Sequence, residues 1–409
     1  MLKKLKVVFS IVMVAVAILS IAAYGLIKRA KNNDNDIENV YGADEEETTS
    51  IDWSSIIENE SETERAVNPD LTVYDGLLRA ITFWGDSMTE GIGDEIGGVV
   101  ELDGNYYDVT GLASSDTVGY LTGLKVNNLG RIGETSYEIA LREGGISMYL
   151  DRDVIVGDEP VRVNIVTEDG GLVHMNNYNG YGCSSYMHES DIVYIEGLRF
   201  KVLLDDEGNI YLEKFYSLDD SFSYLYADGD EISASVLRDS IPVSLEKGSV
   251  VKTAAAVETA GDILVIEVGS NGGWEDYDDL IAQIDSMIVA NNCDYYIIVG
   301  DTDDPGDSIA EWWETDVDAQ GNPRGLMSTE WENALSKAYG DHFLNTRLYL
   351  IENGLSDCGL EETEEDCEGY EYGKISSQLR YDWTHFNAYG YYSQALAIYK
   401  KGVELGYWD

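Results

Sequence analysis

The chain has 409 residues, with 26 lysines and arginines against 77 aspartates and glutamates, a formal net charge of −51. A field of that sign repels phosphate backbones and anionic lipid surfaces, which argues against nucleic acid as a partner and favours an uncharged or weakly charged substrate. The length allows a large core and two domains beyond any anchor, and the acidity suits solubility in a surface or extracellular setting.

The N-terminus, MLKKLKVVFSIVMVAVAILSIAAYGLIKRAK, carries no charge over residues 7–27, about the length a helix needs to cross a hydrocarbon core. Basic residues lie on both sides, so the positive-inside rule does not settle its orientation. A cleavable signal peptide ending at Ala22 is the competing reading. An uncleaved single-pass anchor with the rest of the chain outside is the favoured one, and either way the protein is exported. Residues 1–31 are therefore predicted as anchor or signal peptide. Residues 32–69, which begin NNDNDIENVYGADEEETTS, read as an acidic, disordered tether.

From there the pattern is α/β. LLRAITFWG and LKVNNLG are apolar runs of the kind that form parallel strands buried on both faces. SYEIALREGG predicts a helix stopped by Gly144 and Gly145. GDILVIEVGSN and CDYYIIVGD predict a third and fourth strand around the helix DYDDLIAQIDSMIVANN. TEWENALSKAYG predicts a helix, TRLYLIENGL a fifth strand, and FNAYGYYSQALAIYKKGVE a C-terminal helix. Strands alternating with helices imply a mostly parallel sheet covered on both faces. Residues 146–250 break the rhythm with strand-like runs only, and LRFKVLLDDEGNIYLEKF reads as a hairpin. The organisation expected is an α/β domain over residues 70–145 and 251–409, interrupted by an all-β insertion over 146–250. The insertion's tyrosines and turn residues suit either a substrate-selecting surface or a stabilising cap, and it is expected to supply no catalytic residue.

The sequence has four cysteines. Cys358 and Cys367 lie in an acidic loop and are expected to form a disulfide in an oxidising compartment. Cys183 and Cys293 read as solitary thiols. Residues 316–321, DVDAQG, resemble the start of a calcium loop, but Met327 stands where a bidentate glutamate is needed, so a solvated loop is expected. Trp312 and Trp313 are adjacent and offer a surface for stacking on sugar rings, or one core and one surface indole.

In doubly wound sheets ligands bind at the carboxyl ends of the strands. After the first strand comes Ser87, in GDSMTEG. After the second come Gly130 and Gly133, in GRIGETS. After the third comes Asn271, in GSN, and before the last helix come Asp382 and His385, in DWTH. A hydroxyl, a tight backbone turn, an amide and an acid–imidazole pair are the parts of a nucleophile, its base and an oxyanion site. His174, His188 and His342 have no partner pattern and read as structural; Asp86 reads as organising the turn.

These four blocks, in this order, resemble those of the SGNH (GDSL-type) hydrolases, over residues 71–145 and from about 252 to the C-terminus. The resemblance implies a three-layer, flavodoxin-like parallel sheet. It makes Ser87 the nucleophile, His385 the base and Asp382 its orienting acid. It makes the N–H groups of Ser87 and Gly133 and the side chain of Asn271 the oxyanion donors. No metal and no cofactor is implied. One departure stands out: the family often has Asp after the block asparagine, and here it is Gly272. The order Ser, Asp, His without a Gly-x-Ser-x-Gly elbow argues against an α/β-hydrolase. The expected activity is that of an extracytoplasmic serine esterase removing small acyl groups, acetyl above all, from a carbohydrate. A lipid esterase or acyltransferase with the same triad, and a non-catalytic glycan-binding surface protein, are the alternatives.

Overall fold

Strand β1 (Ile81–Gly85) is buried along its length, and its alternate residues go to opposite faces of the sheet, as a period of two requires. Ile81 and Phe83 pack with Val118, Ala395 and Ile398 on one face, while Trp84 packs with Ile139, Leu280 and Trp331 on the other. Ile263 and Val265 follow the first set and Leu264 and Ile266 the second. Helices therefore cover both faces, and the continuous apolar runs have their physical reason.

This is a computed structural model, and it describes residues 79–408 except 103, 174–191, 206, 208, 216–224, 228–229, 233–241, 293 and 307–314. The expected anchor and tether lie outside those residues, as do Trp312, Trp313, Cys183, Cys293, His174, His188 and much of the tyrosine-rich part of the insertion. Among the described residues no helix is long and apolar enough to cross a membrane.

After β1 come the one-turn helix α1 (Ser87–Glu90), the hairpin β2 (Val99–Leu102) and β3 (Asn105–Asp108), α2 (Ser114–Thr122), β4 (Val126–Gly130) and α3 (Ser136–Glu143). The insertion then runs through β5 (Met148–Leu150), β6 (Val154–Val156), β7 (Val161–Val163), β8 (Ile165–Val166), β9 (Ile192–Ile195), β10 (Leu198–Leu204), β11 (Ile210–Lys214), β12 (Leu225–Ala227), β13 (Asp230–Ile232), β14 (Val243–Leu245) and β15 (Val250–Thr253). The α/β part resumes with α4 (Ala254–Glu258), β16 (Ile263–Glu267), α5 (Tyr277–Asn291), β17 (Tyr296–Val299) and α6 (Glu330–Tyr339). It ends with β18 (Phe343–Leu344), α7 (Thr346–Asp357), α8 (Glu364–Glu371) and α9 (Ala388–Glu404).

The central sheet has the order β18-β17-β16-β1-β4, and every pairing in it is parallel. The insertion builds a separate antiparallel sheet, β7-β11-β10-β9-β15-β5-β8, around a hydrophobic cluster that is mostly aliphatic. The hairpin expected from the sequence is β10–β11, in register from Phe200 opposite Lys214 to Leu204 opposite Ile210. Strand β15 belongs to this sheet, paired with β5 and β9, so the inserted sheet extends to Thr253, three residues beyond the predicted boundary.

The two ends of the insertion meet at its root, where Val250 pairs with Tyr149 and Val251 with Met148. The root lies at the amino ends of the central strands. Helix α3 leaves the carboxyl edge of β4 and runs back beside the sheet, and its eight residues span about 12 Å. Its Leu141 is already part of the insertion's core. On the return, Thr253 donates its hydroxyl to Arg142 O, and the chain passes through α4 to Ile263, whose N–H bonds Ala80 O at the amino end of β1.

Two expectations need correction. TRLYLIENGL is helix α7, and the fifth strand is the short Phe343–Leu344 before it. Asn345 caps the helix by accepting from Leu348 N at 3.0 Å, and Arg347, Leu350 and Gly354 form a buried face at three- and four-residue spacing. A short apolar run does not distinguish strand from helix by itself. The buried Arg347 decides, because it reaches Glu332 at 2.7 Å and the carbonyls of Met327 and Gly373. Second, Cys358 and Cys367 are free thiols. The stretch between them is not the expected loop: Thr363 and Asp366 form a capping box that starts α8, and Cys367 on that helix is exposed. Cys358, at the end of α7, instead points inward and donates to Tyr389 O at 3.2 Å, and burial pushes its thiol pKa far above the ordinary range.

Candidate active site

The carboxyl ends of β1, β4 and β16 come level where Gly85 pairs with both Gly130 and Glu267. The chain turns there into α1, which Asp86 caps by accepting from Met88 N at 3.0 Å. Ser87 is the first residue of that helix and is 6% exposed. The helix sits directly on β4 because Gly130 has no side chain: a Cβ there would lie 2.1 Å from Glu90 N.

His385 is delivered by a tight turn closed by Tyr381 N–H bonding His385 O at 2.9 Å. Inside it, Asp382 Oδ1 accepts from the backbone of Thr384 at 2.9 Å and of His385 at 2.7 Å. Its Oδ2 lies 2.9 Å from His385 Nδ1. His385 Nε2 in turn lies 2.9 Å from Ser87 Oγ, across 298 residues of chain. With Nδ1–H donated to the carboxylate, Nε2 is left to accept the serine proton. Partial burial pulls the Asp382 pKa up, but the hydrogen bond and charge of His385 and the backbone N–H groups outweigh it, so the carboxyl stays below its usual range. Arg380 anchors the turn, donating to Thr384 O at 3.1 Å and to Asp304 at 3.0 Å.

Gly133 adopts the left-handed conformation, φ +76°, just before Glu134. Asn271 lies opposite, its Nδ2 donating to Glu134 O at 3.1 Å and to Asp86 Oδ2 at 3.0 Å. The Asn271 loop is docked on the start of α3, where Gly272 O accepts from Ser136 N at 3.0 Å. Gly272 has φ +74°, a conformation in which glycine avoids the strain a side chain brings. Glu134 is itself held by Arg142, Nε to Oε1 3.0 Å, and the Arg142 guanidinium lies 4.9 Å from the Trp84 ring.

Beneath the serine lie buried carboxyls. Burial raises the Asp86 pKa to about 7, against the pull of Met88 N–H and the charge of His385. Burial, and then the charge of Asp86, raises Glu267 to about 8; its oxygens accept from Thr89 at 3.1 Å and Gln394 at 2.8 Å. Asp303 is likewise pushed up by burial and by neighbouring Asp301.

The structure thus joins Ser87, His385 and Asp382 in one hydrogen-bonded relay, and ties Asn271 to the residue preceding the serine and to the residue following Gly133. Sequence reasoning missed Glu134, Arg142, Glu267 and Arg380, and gave Asp86 only its turn. Glu134 sat inside the quoted GRIGETS block, and a charged residue there was the available signal; Glu267 ends an apolar strand and carried the same signal. Trp383, between Asp382 and His385, is 69% exposed. His342 stacks on Tyr296 with ring centroids 4.2 Å apart. In the DVDAQG loop Asp316 faces Lys374 at 3.7 Å, and Asp318 accepts from Gln320 N and Asn322 N. Among the described residues no group of His, Cys, Asp and Glu is placed to hold a metal ion. Comparison of the chain with protein-family models, curated proteins and solved structures finds no match.

Proposed function

We propose that the protein is a serine esterase of the SGNH type, acting outside the cytoplasm on small acyl esters, acetyl above all, of a carbohydrate. The observation that carries this reading is the relay from Asp382 through His385 to Ser87, with both imidazole nitrogens 2.9 Å from their partners. Counted along the chain, the strands of the central sheet run 2-1-3-4-5, the flavodoxin-like order, whose ligand site is at the carboxyl edge. Ser87 stands at that edge.

Ser87 Oγ attacks the ester carbonyl as His385 Nε2 takes its proton. The tetrahedral oxyanion faces the N–H groups of Ser87 and Gly133 and the Asn271 amide. Collapse breaks the ester C–O bond, and His385 returns the proton to the leaving alcohol. Water, deprotonated by the same imidazole, then releases the acid and free serine. Asp382 holds the ring in the required tautomer and offsets the imidazolium charge. The exposed indole of Trp383, beside the histidine, suits the apolar face of a sugar ring. The insertion's root, at the opposite edge of the sheet, favours the cap over the selector as its role.

The experiment is release of acetate from p-nitrophenyl acetate and from acetylated glycans by the wild-type protein and by Ser87→Ala. Turnover by the wild type with none above background in Ser87→Ala is expected. Wild-type rates in Ser87→Ala would sink the assignment.

A further inference from the structure

Asn271 has one amide nitrogen with two hydrogens, and both are committed, one to Asp86 Oδ2 and one to Glu134 O. An oxyanion can engage that amide only by sharing a hydrogen with one of these acceptors. The orientation of the amide is therefore set by its two partners, one of which is a carboxylate adjoining the nucleophile. Asp86 uses its oxygens separately: Oδ1 accepts from Met88 N, just beyond Ser87, and Oδ2 from Asn271. Capping a single-turn helix needs only one acceptor, which a serine or threonine supplies. The second oxygen has no part in the cap.

We propose that Asp86 is a positioning residue that sets the Asn271 amide against Ser87, one carboxyl fixing the nucleophile's turn and the oxyanion donor together. The proposal rests on the esterase reading above. Its enclosure fits the role: Asp86 is 2% exposed, so water does not replace either contact, and the braced Glu134–Arg142 pair keeps the other acceptor of the amide in place. The carboxyl touches no reacting atom and acts only through Asn271.

The test is Asp86→Ser, which keeps an acceptor for Met88 N and lacks the second oxygen. With p-nitrophenyl acetate, kcat should fall ~10–10²-fold with KM within about two-fold, since the lost interaction belongs to the transition state. Asp86→Ser combined with Asn271→Ala should be no slower than Asn271→Ala alone, because the two act as one unit. Wild-type kcat in Asp86→Ser, or losses that multiply in the double variant, would overturn the proposal. Should Asp86→Ser not fold, Asp86→Asn keeps the cap and sets an NH2 group against the NH2 of Asn271; it must show the same loss, and full activity overturns the claim. If the wild type cleaves no ester, the esterase reading falls, and the positioning claim is read separately from the side-chain amide signals of protein labelled with 15N-asparagine. The Asn271 pair should move in Asp86→Ser, and an unmoved pair overturns it.

Discussion

The two halves of the described molecule bury different things. The inserted sheet encloses a mostly aliphatic cluster from Met148 to Val251, and among its described residues the buried polar ones are Thr167 and Thr253. Among its described residues the enclosed Lys214 side chain reaches out to the exposed Asp158. The α/β half buries Asp86, Glu134, Arg142, Glu267, Asp303, Glu332 and Arg347. Burying charge costs stability unless every group is paired and hydrogen-bonded. The half that accepts this cost is the one in which the relay lies, and fixed dipoles and charges are what the proposed acyl transfer would draw on. Among its described residues the insertion carries less of this burden, the enclosed Lys214 side chain being its clearest instance.

The contrast predicts where a substitution is felt. The largest effect belongs to His385→Ala, which should lower kcat by ~10³-fold or more while changing thermal unfolding far less, because the loss removes the proposed base. Parallel activity and unfolding curves check it; activity within a few-fold of wild type would break the division. Leu212→Ala in β11 should do the reverse. Leu212 is fully buried in the insertion's core, so truncation should cost about 2–5 kcal/mol of stability with kcat unchanged, read by urea unfolding beside an esterase assay. A coupled loss of kcat would show that the two halves are not separable.

The smallest effect is the most specific. Glu267 is raised from 4.5 to about 8 by burial and the charge of Asp86. A carboxyl with a raised folded pKa supports folding fully below its unfolded value, and that support is lost as pH climbs through the folded one. The protein should therefore lose stability between about pH 4 and pH 8 as this group and Asp86 are forced to ionise. Glu267→Gln should flatten the slope and be more stable than wild type at pH 8.5 by at least about 1 kcal/mol. The amide can accept from Gln394 and donate to Thr89, so the hydrogen bonds survive. An unchanged slope in urea midpoints across that range would show Glu267 to be ionised in the fold.

Legibility in the sequence depends on range. The strands around Trp84, Leu264 and Ile298 announced themselves because burial on both faces leaves a continuous apolar run. Helix α3 did so because Gly144 ends it. TRLYLIENGL misled because its helical character depends on Arg347 finding Glu332 and two distant carbonyls. The Cys358–Cys367 pairing misled because α8 forms from its own cap and carries the second thiol away. Short blocks brought out Ser87, Asp382, His385, Asn271 and Gly133 since each sits where a strand or turn ends. Asp86 and Glu267 stayed hidden because their partners lie far along the chain: Asn271 is 185 residues from Asp86, and Thr89 is 178 from Glu267.

The paired root of the insertion bears on how the chain finds its fold. Strands β1 and β16 are neighbours, yet Thr82 and Asp262, which hydrogen-bond across them, stand 180 residues apart. Such a contact is slow to form because the intervening loop must be closed first. If the antiparallel sheet forms early, β5 and β15 come together and its residues count as little more than a hairpin, so the effective loop more than halves. Each halving relieves the closure entropy by about 0.6 kcal/mol. The segment that interrupts the parallel sheet in sequence would then shorten its search in time, and truncations at the root, at Met148 or Val251, should slow refolding more than truncations of equal size at the far edge, in β7.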